Sequence, residues 1–231
     1  MTRTTCILIV ALMTATSASA QDLLHTHLDF GSLPSAQGWS FASGFPEADY
    51  CSVDGSALTI DTMGLGYTAT ARAYYWLDVT PQASAGYWSF TINMRLLASE
   101  SYLYPDGHYN AGGCFAGLQF AGKMAQLRWK PGALVISDDL PSTYALDVGD
   151  WHEYQVIGDV STATFSVYVD DQLLHTGPMW GDTGSPRFHF GDGTSGGNAH
   201  MEISHVELLL SDLEPIASEE LTWGGVKALF R

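Results

Sequence analysis

The residues best suited to hold a ligand lie in one tyrosine-rich stretch, residues 100–113, between two predicted strands. Tyrosine rings offer flat apolar faces on which the C–H patches of a sugar ring stack, and their hydroxyls stay polar. Aspartate, histidine and asparagine add hydrogen bonds that fix the orientation of a ligand. The predicted ligand-binding residues of this stretch are Tyr102, Tyr104, Asp106, His108, Tyr109 and Asn110. The alternative is a solvated loop whose tyrosines fold down over the core.

Two consecutive residues of a later predicted strand, Arg128 and Trp129, extend this predicted platform. Arg128 supplies a cationic hydrogen-bond donor, and Trp129 supplies a large ring for stacking. A long segment between two strands of a compact domain is usually either functional or disordered. The stretch therefore predicts a binding surface for a saccharide.

Patterns that would carry covalent catalysis are weak, and we predict no catalytic residue. The sequence has no His-Glu-x-x-His zinc motif. Glu202 and Glu207 are the nearest acidic pair on a predicted strand, but five residues of strand separate them by roughly 16 Å. Hydrolysis by two carboxylates needs about 5–9.5 Å. A tyrosine–histidine pair from Tyr109 and His108, with Arg128 nearby, leaves a polysaccharide lyase open as an alternative.

Composition excludes several classes of protein. The chain has 231 residues, of which 46% are hydrophobic and 15% charged, so it has enough apolar material to form a core. Its formal net charge of −16 repels phosphate backbones, and we therefore expect no nucleic-acid partner. No apolar run approaches the ~20 residues of a transmembrane helix.

Residues 1–20 have the pattern of a secretory signal peptide. Arg3 supplies the positive start, residues 6–13 form a short apolar run, and Ala18, Ser19 and Ala20 form a small-residue cleavage site. The pattern predicts cleavage near Ala20 and a secreted, periplasmic or cell-surface location.

The body of the chain, residues 21–210, has the pattern of a single all-β domain. Between Trp88 and Leu96, apolar and polar residues alternate, which is typical of a strand with one buried face. Short strands of this kind recur, with turns rich in glycine, proline and aspartate between them. Because helical periodicity is nearly absent, we predict an antiparallel two-sheet sandwich or barrel.

The end of the chain contains two irregularities. Met201 and Ile203 share one parity, whereas Val206, Leu208 and Leu210 share the other, so a bulge near residues 204–205 is needed to keep all five on one face. Residues 211–231 form an acidic linker and a short amphipathic tail. The tail is either loosely docked or a peptide that a partner recognises.

Two cysteines, Cys51 and Cys114, remain after the predicted cleavage. An oxidising compartment allows them to pair, and the bond would close a loop of about 60 residues, worth roughly 3–4 kcal/mol. The alternative is two buried free thiols.

Three stretches resemble concanavalin A-like, or laminin G-like, jelly rolls of the secreted bacterial type. The first is Asp150-Trp-His-Glu-Tyr followed by Val167-Tyr-Val-Asp-Asp171, which resembles the paired strands of that family, with Asp171 where glycine is usual. The second, beginning Phe190-Gly-Asp-Gly, resembles its "F-G-D-G-x-S" segment, and the third is the opening at 28–39. The resemblance covers residues 28–210.

The resemblance implies a two-sheet sandwich with a concave face, a fold that hosts lectins, glycosidases, lyases and adhesion modules. The Glu-x-Asp-x-x-Glu strand of its glycosidases is missing. We therefore expect a lectin-like module that binds a glycan or cell-surface polysaccharide. The alternatives are a divergent glycoside hydrolase or lyase and a structural or adhesion module. Many such jelly rolls bind structural calcium, and Asp29 and Asp192 are the predicted ligands.

Overall fold

The computed structural model describes residues 22–65, 72–82, 84–103, 109–110, 113–137, 141–193 and 197–212. These residues form seventeen β-strands and three short 3-10 helices, with no α-helix among them. The predicted signal peptide and most of the predicted tail lie outside the described residues. Within the described part, no helix has the length and apolar character that crossing a membrane requires.

The strands and 3-10 helices have the following bounds. The strands are β1 Asp22–His27, β2 Ser40–Ser43, β3 Cys51–Val53, β4 Leu58–Asp61, β5 Ala73–Asp78, β6 Tyr87–Leu103, β7 Tyr109–Asn110, β8 Cys114–Phe120, β9 Lys123–Lys130, β10 Ala133–Ser137, β11 Ser142–Ala145, β12 His152–Asp159, β13 Thr164–Val169, β14 Gln172–Pro178, β15 Trp180–Gly181, β16 Arg187–Asp192 and β17 Gly197–Ser211. The 3-10 helices are Pro34–Gln37, Glu47–Asp49 and Thr80–Gln82.

Two antiparallel sheets form the sandwich. The nine-stranded sheet has the order β14-β13-β12-β6-β17-β4-β3, with β1 also paired to β17 and β7 to β6. The eight-stranded sheet has the order β11-β10-β9-β8-β16-β5-β2, with β15 paired to β9. Each sheet presents one apolar face, and the two faces pack together because neither is stable against water. The predicted all-β jelly-roll sandwich is confirmed.

The alternation predicted for β6 is confirmed, since the side chains of Trp88, Phe90, Ile92, Met94 and Leu96 are at most 4% exposed. In β17 the pairing register with β6 shifts between Ile203 and His205. Met201, Ile203, Val206, Leu208 and Leu210 are all fully buried as a result. The predicted bulge thus keeps both halves of the strand on the core.

Cys51 and Cys114 are free thiols, so the predicted disulfide is not formed. Cys51 lies on β3 of the nine-stranded sheet, and burial raises its pKa to about 12. Cys114 lies on β8 of the other sheet, with its Sγ 3.4 Å from the Sδ of Met201. Each thiol therefore has its own packing site in the core and behaves as a small apolar group.

Candidate functional site

A cavity of about 310 Å³ opens on the outer face of the eight-stranded sheet. Its volume lies at the lower end of the range for small-molecule sites. Its described lining, which we call the arginine cavity, consists of Arg72, Tyr74, Phe115, Gln126, Arg128, Arg187, His189 and Gly193.

Strand alternation explains why these side chains point outward. Their neighbours along the chain belong to the core, for example Tyr75 on β5 and both Phe188 and Phe190 on β16. Since successive side chains of a strand point to opposite faces, Tyr74 and His189 point away from the core. The order β9-β8-β16-β5 then places the β8–β9 hairpin beside two strands that are distant from it in sequence.

Two cross-strand rows form the wall and floor of the cavity. In the first row, Phe115 pairs with Gly191 on one side and with Arg128 on the other. In the second, Gly117 pairs with His189 and with Gln126. In each row a ring lies next to a glycine of the neighbouring strand, Phe115 next to Gly191 and His189 next to Gly117.

Gly117 is a position where no side chain fits. A Cβ atom there would lie 2.8 Å from the carbonyl oxygen of Ala125 and 3.1 Å from Nε2 of His189. Real Cβ atoms almost never approach a backbone atom that closely. Glycine at this position therefore makes room for the imidazole of His189.

Two of the three arginines of the cavity, Arg128 and Arg187, are held by neutral partners. Arg128 donates from Nε and Nη2 to the hydroxyl of Ser137, at 3.0 and 2.8 Å. Arg187 donates from Nε to the side-chain oxygen of Gln119 at 2.5 Å. In the described part of the chain, no carboxylate forms an ion pair with Arg72, Arg128 or Arg187. The guanidinium groups of Arg128 and Arg187 are thus oriented without being neutralised.

His189 is the most buried polar group of the cavity, with 4% of its surface exposed. Its Nε2 atom has no hydrogen-bond partner among the described residues. Burial, and then the charge of Arg187, lower its pKa to about 3. The imidazole is therefore neutral near pH 7, and the unpartnered Nε2 leaves a hydrogen bond unmade, which costs free energy in a buried group.

Aromatic rings supply an apolar wall. The rings of Tyr74 and Phe115 meet edge to face with centroids 5.8 Å apart. The ring of Phe115 also packs against the imidazole of His189, with centroids 4.8 Å apart. The site thus combines ring surface, cationic donors and a neutral imidazole.

The structure separates Arg128 and Trp129, which the sequence analysis had placed together. Arg128 lines the cavity. Trp129 is fully buried in the core, where its ring meets Tyr154 edge to face at 5.1 Å. Consecutive residues of a strand point to opposite faces, so only one of the two can reach the outer surface. Trp129 consequently does not extend a binding platform.

The predicted tyrosine-rich stretch is described only in part. The backbone of Tyr102 pairs with that of Asn110, and the backbone of Leu103 pairs with that of Tyr109, in the β6–β7 ladder. Three further predicted residues, Tyr104, Asp106 and His108, lie outside the described residues. The binding role of this stretch stays a prediction.

The two predicted calcium ligands have separate local partners. An oxygen of Asp29 accepts a hydrogen bond from the backbone N–H of Gly31 at 2.8 Å. Asp192 is fully buried and accepts a hydrogen bond from the hydroxyl of Thr62 at 2.5 Å. Within the described ranges, no group of three or more His, Cys, Asp or Glu side chains is arranged to hold a metal ion. Calcium binding therefore stays a prediction.

Sequence reasoning missed most of the cavity, namely Arg72, Tyr74, Phe115, Gln126, Arg187 and Gly193. The available signal was strand parity. The alternation of His189 with Phe188 and Phe190 predicted an outward or groove-facing histidine, and the structure places it there. Parity does not say which strands become neighbours.

Comparisons with solved structures identify the fold. The chain aligns with a carbohydrate esterase from Shiga toxin-encoding bacteriophage phi24B at a TM-score of 0.56 and 13% identity, over 83% of this chain and 99% of that one. It aligns with a Bacillus licheniformis β-glucanase at a TM-score of 0.51 and 11% identity, over 80% and 97%. A sialidase aligns at a TM-score of 0.55 and 13% identity, over 80% of this chain, which spans only 18% of the sialidase.

These identities define the fold alone, which is the concanavalin A-like jelly roll. The fold that the resemblance of the sequence motifs implied is thereby confirmed. No protein-family model matches the chain, and no curated protein sequence matches it.

Proposed function

We propose that this protein is an exported carbohydrate-binding protein and that its saccharide ligand occupies the arginine cavity. The observation that carries the proposal is Nε2 of His189, a buried polar atom without a described partner at the wall of an open cavity. A hydroxyl group of a bound sugar would supply the missing hydrogen bond. Export follows from the signal-peptide pattern of residues 1–20.

The other lining residues suit a sugar ring. Tyr74 and Phe115 offer faces to its C–H patches. The arginines and Gln126 offer several donors at fixed positions, which is how a small polar set gives orientation and specificity. Names of aligned proteins, a carbohydrate esterase and a β-glucanase, support a carbohydrate ligand.

One observation favours a second function, that of a polysaccharide lyase. A lyase removes a proton from the carbon beside a uronate carboxylate, and a carbon–carbon double bond forms as the bond to the leaving glycosidic oxygen breaks. Nε2 of His189, which has no partner among the described residues and lines the open cavity, could accept that proton. With a pKa of about 3 it would be a weak base, so the reaction would depend on the arginines to stabilise the negative charge that forms on the uronate.

Hydrolysis has less support at the same place. The described lining of the cavity includes neither aspartate nor glutamate, whereas a glycosidase of the usual kind needs a carboxylate pair. Residues 193–197 have the spacing Gly-x-Ser-x-Gly, but β17 follows directly where a nucleophile elbow requires a helix.

The test is affinity gel electrophoresis of the purified protein in gels that contain soluble polysaccharides, neutral and acidic. We expect at least one polysaccharide to retard the wild-type protein and the variant Tyr74→Ala to be retarded less, by about tenfold in dissociation constant if a stacking contact of about 1.4 kcal/mol is lost. The variant Tyr168→Ala, on β13 of the other sheet, is the matched control and should behave as wild type.

Two further variants test where the ligand binds and whether the protein cleaves it. A triple variant, Tyr102→Ala with Tyr104→Ala and Tyr109→Ala, tests the tyrosine-rich stretch. If only the triple variant loses retardation, the ligand binds there and the cavity assignment is wrong. Ultraviolet absorbance of an unsaturated product that disappears in His189→Gln would favour the lyase. If no polysaccharide retards the wild type, the proposed function is wrong.

A further inference from the structure

We propose that the arginine cavity selects a sugar residue that carries an anionic group, a carboxylate or a sulfate ester. This inference rests on the proposed function, because it names the chemical class of the saccharide in the same cavity. The inference is based on the position of Arg72, Arg128 and Arg187, which line one cavity of a protein with a net negative charge.

The distribution of positive charge is the first step. The whole chain has 9 lysines and arginines against 25 aspartates and glutamates. Three of those cations line a single cavity, whose described lining contains no acidic residue. A protein with so large a negative charge repels a polyanion everywhere else, so attraction has to come from this locally positive opening.

The choice of partners for the arginines is the second step. Guanidinium groups that serve stability usually face a carboxylate, as Arg95 faces Glu202 at 2.6 Å on the other sheet. Arg128 and Arg187 instead face a serine hydroxyl and a glutamine oxygen. Those neutral acceptors fix the direction of each guanidinium and leave its charge for an oxyanion, which arginine binds with short, charge-assisted hydrogen bonds.

The neutral part of the lining is the third step. His189 carries no charge near pH 7, and its Nε2 has no described partner. Tyr74 and Phe115 add apolar ring surface. An inorganic anion would use only the arginines, whereas an acidic sugar uses the arginines, the imidazole and the rings together.

The experiment compares ligands that differ only in charge. Polygalacturonic acid is paired with its methyl ester, and dextran sulfate is paired with dextran, each titrated into the full-length protein by isothermal titration calorimetry. We expect at least one acidic member to bind and its neutral partner to bind at least about tenfold more weakly. If the difference in affinity is found for the polygalacturonic acid pair, the selected group is a carboxylate. If it is found for the dextran sulfate pair, the selected group is a sulfate ester.

Variants assign the effect to the cavity. Arg128→Gln and Arg187→Gln should each weaken binding of the acidic member by about tenfold or more, since each removes a charge-assisted contact. Arg95→Gln, which removes the same charge from the other sheet, should change binding by less than about twofold. Circular dichroism and a thermal melt verify that each variant is folded.

Four outcomes overturn the inference. Equal binding of the acid and its neutral partner overturns it but leaves the proposed function standing. An equal loss in Arg95→Gln and Arg187→Gln shows general charge attraction and also overturns it. If no acidic ligand binds while a neutral polysaccharide retards the protein, the anionic selectivity is wrong, and if nothing binds, both proposals fail.

Discussion

The two sheets of this protein treat their cationic side chains in opposite ways. On the nine-stranded sheet, Arg95 forms an ion pair with Glu202 and stacks on the ring of Trp151 at 5.0 Å. In the eight-stranded sheet, Arg128 and Arg187 are held by neutral side chains. The charge of the first cation is neutralised by a carboxylate, whereas the charges of the other two are not.

The histidines of the two sheets also differ in whether a carboxylate lies beside them. His152, the first residue of β12 in the nine-stranded sheet, has its Nδ1 2.6 Å from a carboxylate oxygen of Asp170. His189 on the eight-stranded sheet faces the guanidinium of Arg187, and its Nε2 has no described partner. Nε2 of His189 thus lacks a hydrogen bond of the kind that His152 makes, and a local loss of stability of this sort is common at functional sites.

The largest expected effect of this difference is a loss of folding stability at acidic pH. In the unfolded chain His189 has the ordinary pKa of 6.5, and in the folded protein its pKa is about 3. Between these values the unfolded chain binds a proton that the folded protein does not, so the free energy of unfolding falls as pH falls. One such proton costs about 1.4 kcal/mol per pH unit, or about 2–3 kcal/mol from pH 6 to pH 4.

The variant His189→Gln removes that proton and should lose correspondingly less stability over the same pH range. Urea denaturation at both pH values measures the difference. The substitution His205→Gln, on β17 of the nine-stranded sheet, controls for the removal of an imidazole. Identical losses in wild type and His189→Gln would contradict the assignment of a neutral, buried imidazole.

The next effect concerns the floor of the cavity. Gly117→Ala should lower the free energy of unfolding by about 2 kcal/mol, because the new methyl group meets a backbone oxygen at 2.8 Å and His189 at 3.1 Å. Gly181→Ala is the matched control, since a Cβ there has no neighbour within 4 Å, and it should change stability by less than about 0.5 kcal/mol. Thermal denaturation compares the two variants. If Gly117→Ala is as stable as the wild type, the strands beside Gly117 can move apart to accommodate the methyl group, and the prediction is wrong.

The smallest effect tests the cations themselves. Arg95→Gln should lower stability by about 0.5–1 kcal/mol, because its ion pair and its contact with Trp151 are both partly exposed. Arg72→Gln should change stability by less than about 0.5 kcal/mol, since Arg72 is exposed and forms no ion pair with a described carboxylate. Equilibrium unfolding measures both, and a larger loss at Arg72 than at Arg95 would reverse the comparison.

Sequence predicted the sheets better than it predicted the site. The pattern of β6 and the parity break of β17 are local, so a reader of the chain can assign a core face to both strands and locate the bulge. The cavity is not local, because its lining is contributed by residues near positions 72, 115, 128 and 189. The pairings of β8 with β9 and β16, and of β16 with β5, bring them together.

Adjacent residues were the other source of error. Arg128 and Trp129 look equally suited to a ligand in the sequence, but the pleat of β9 sends one outward and the other into the core. The cysteines could not be assigned from the sequence for a related reason. Both are buried, yet the sequence does not reveal that Cys114 has Met201 as its neighbour.

The position of β17 has a consequence for how the chain is made. This strand, Gly197–Ser211, pairs with β1, β4 and β6, which are all formed from the first half of the chain. A ribosome therefore finishes most of the polypeptide before the middle of the larger sheet can close. Such late, long-range pairing makes folding slow and leaves strand edges open to other chains in the meantime.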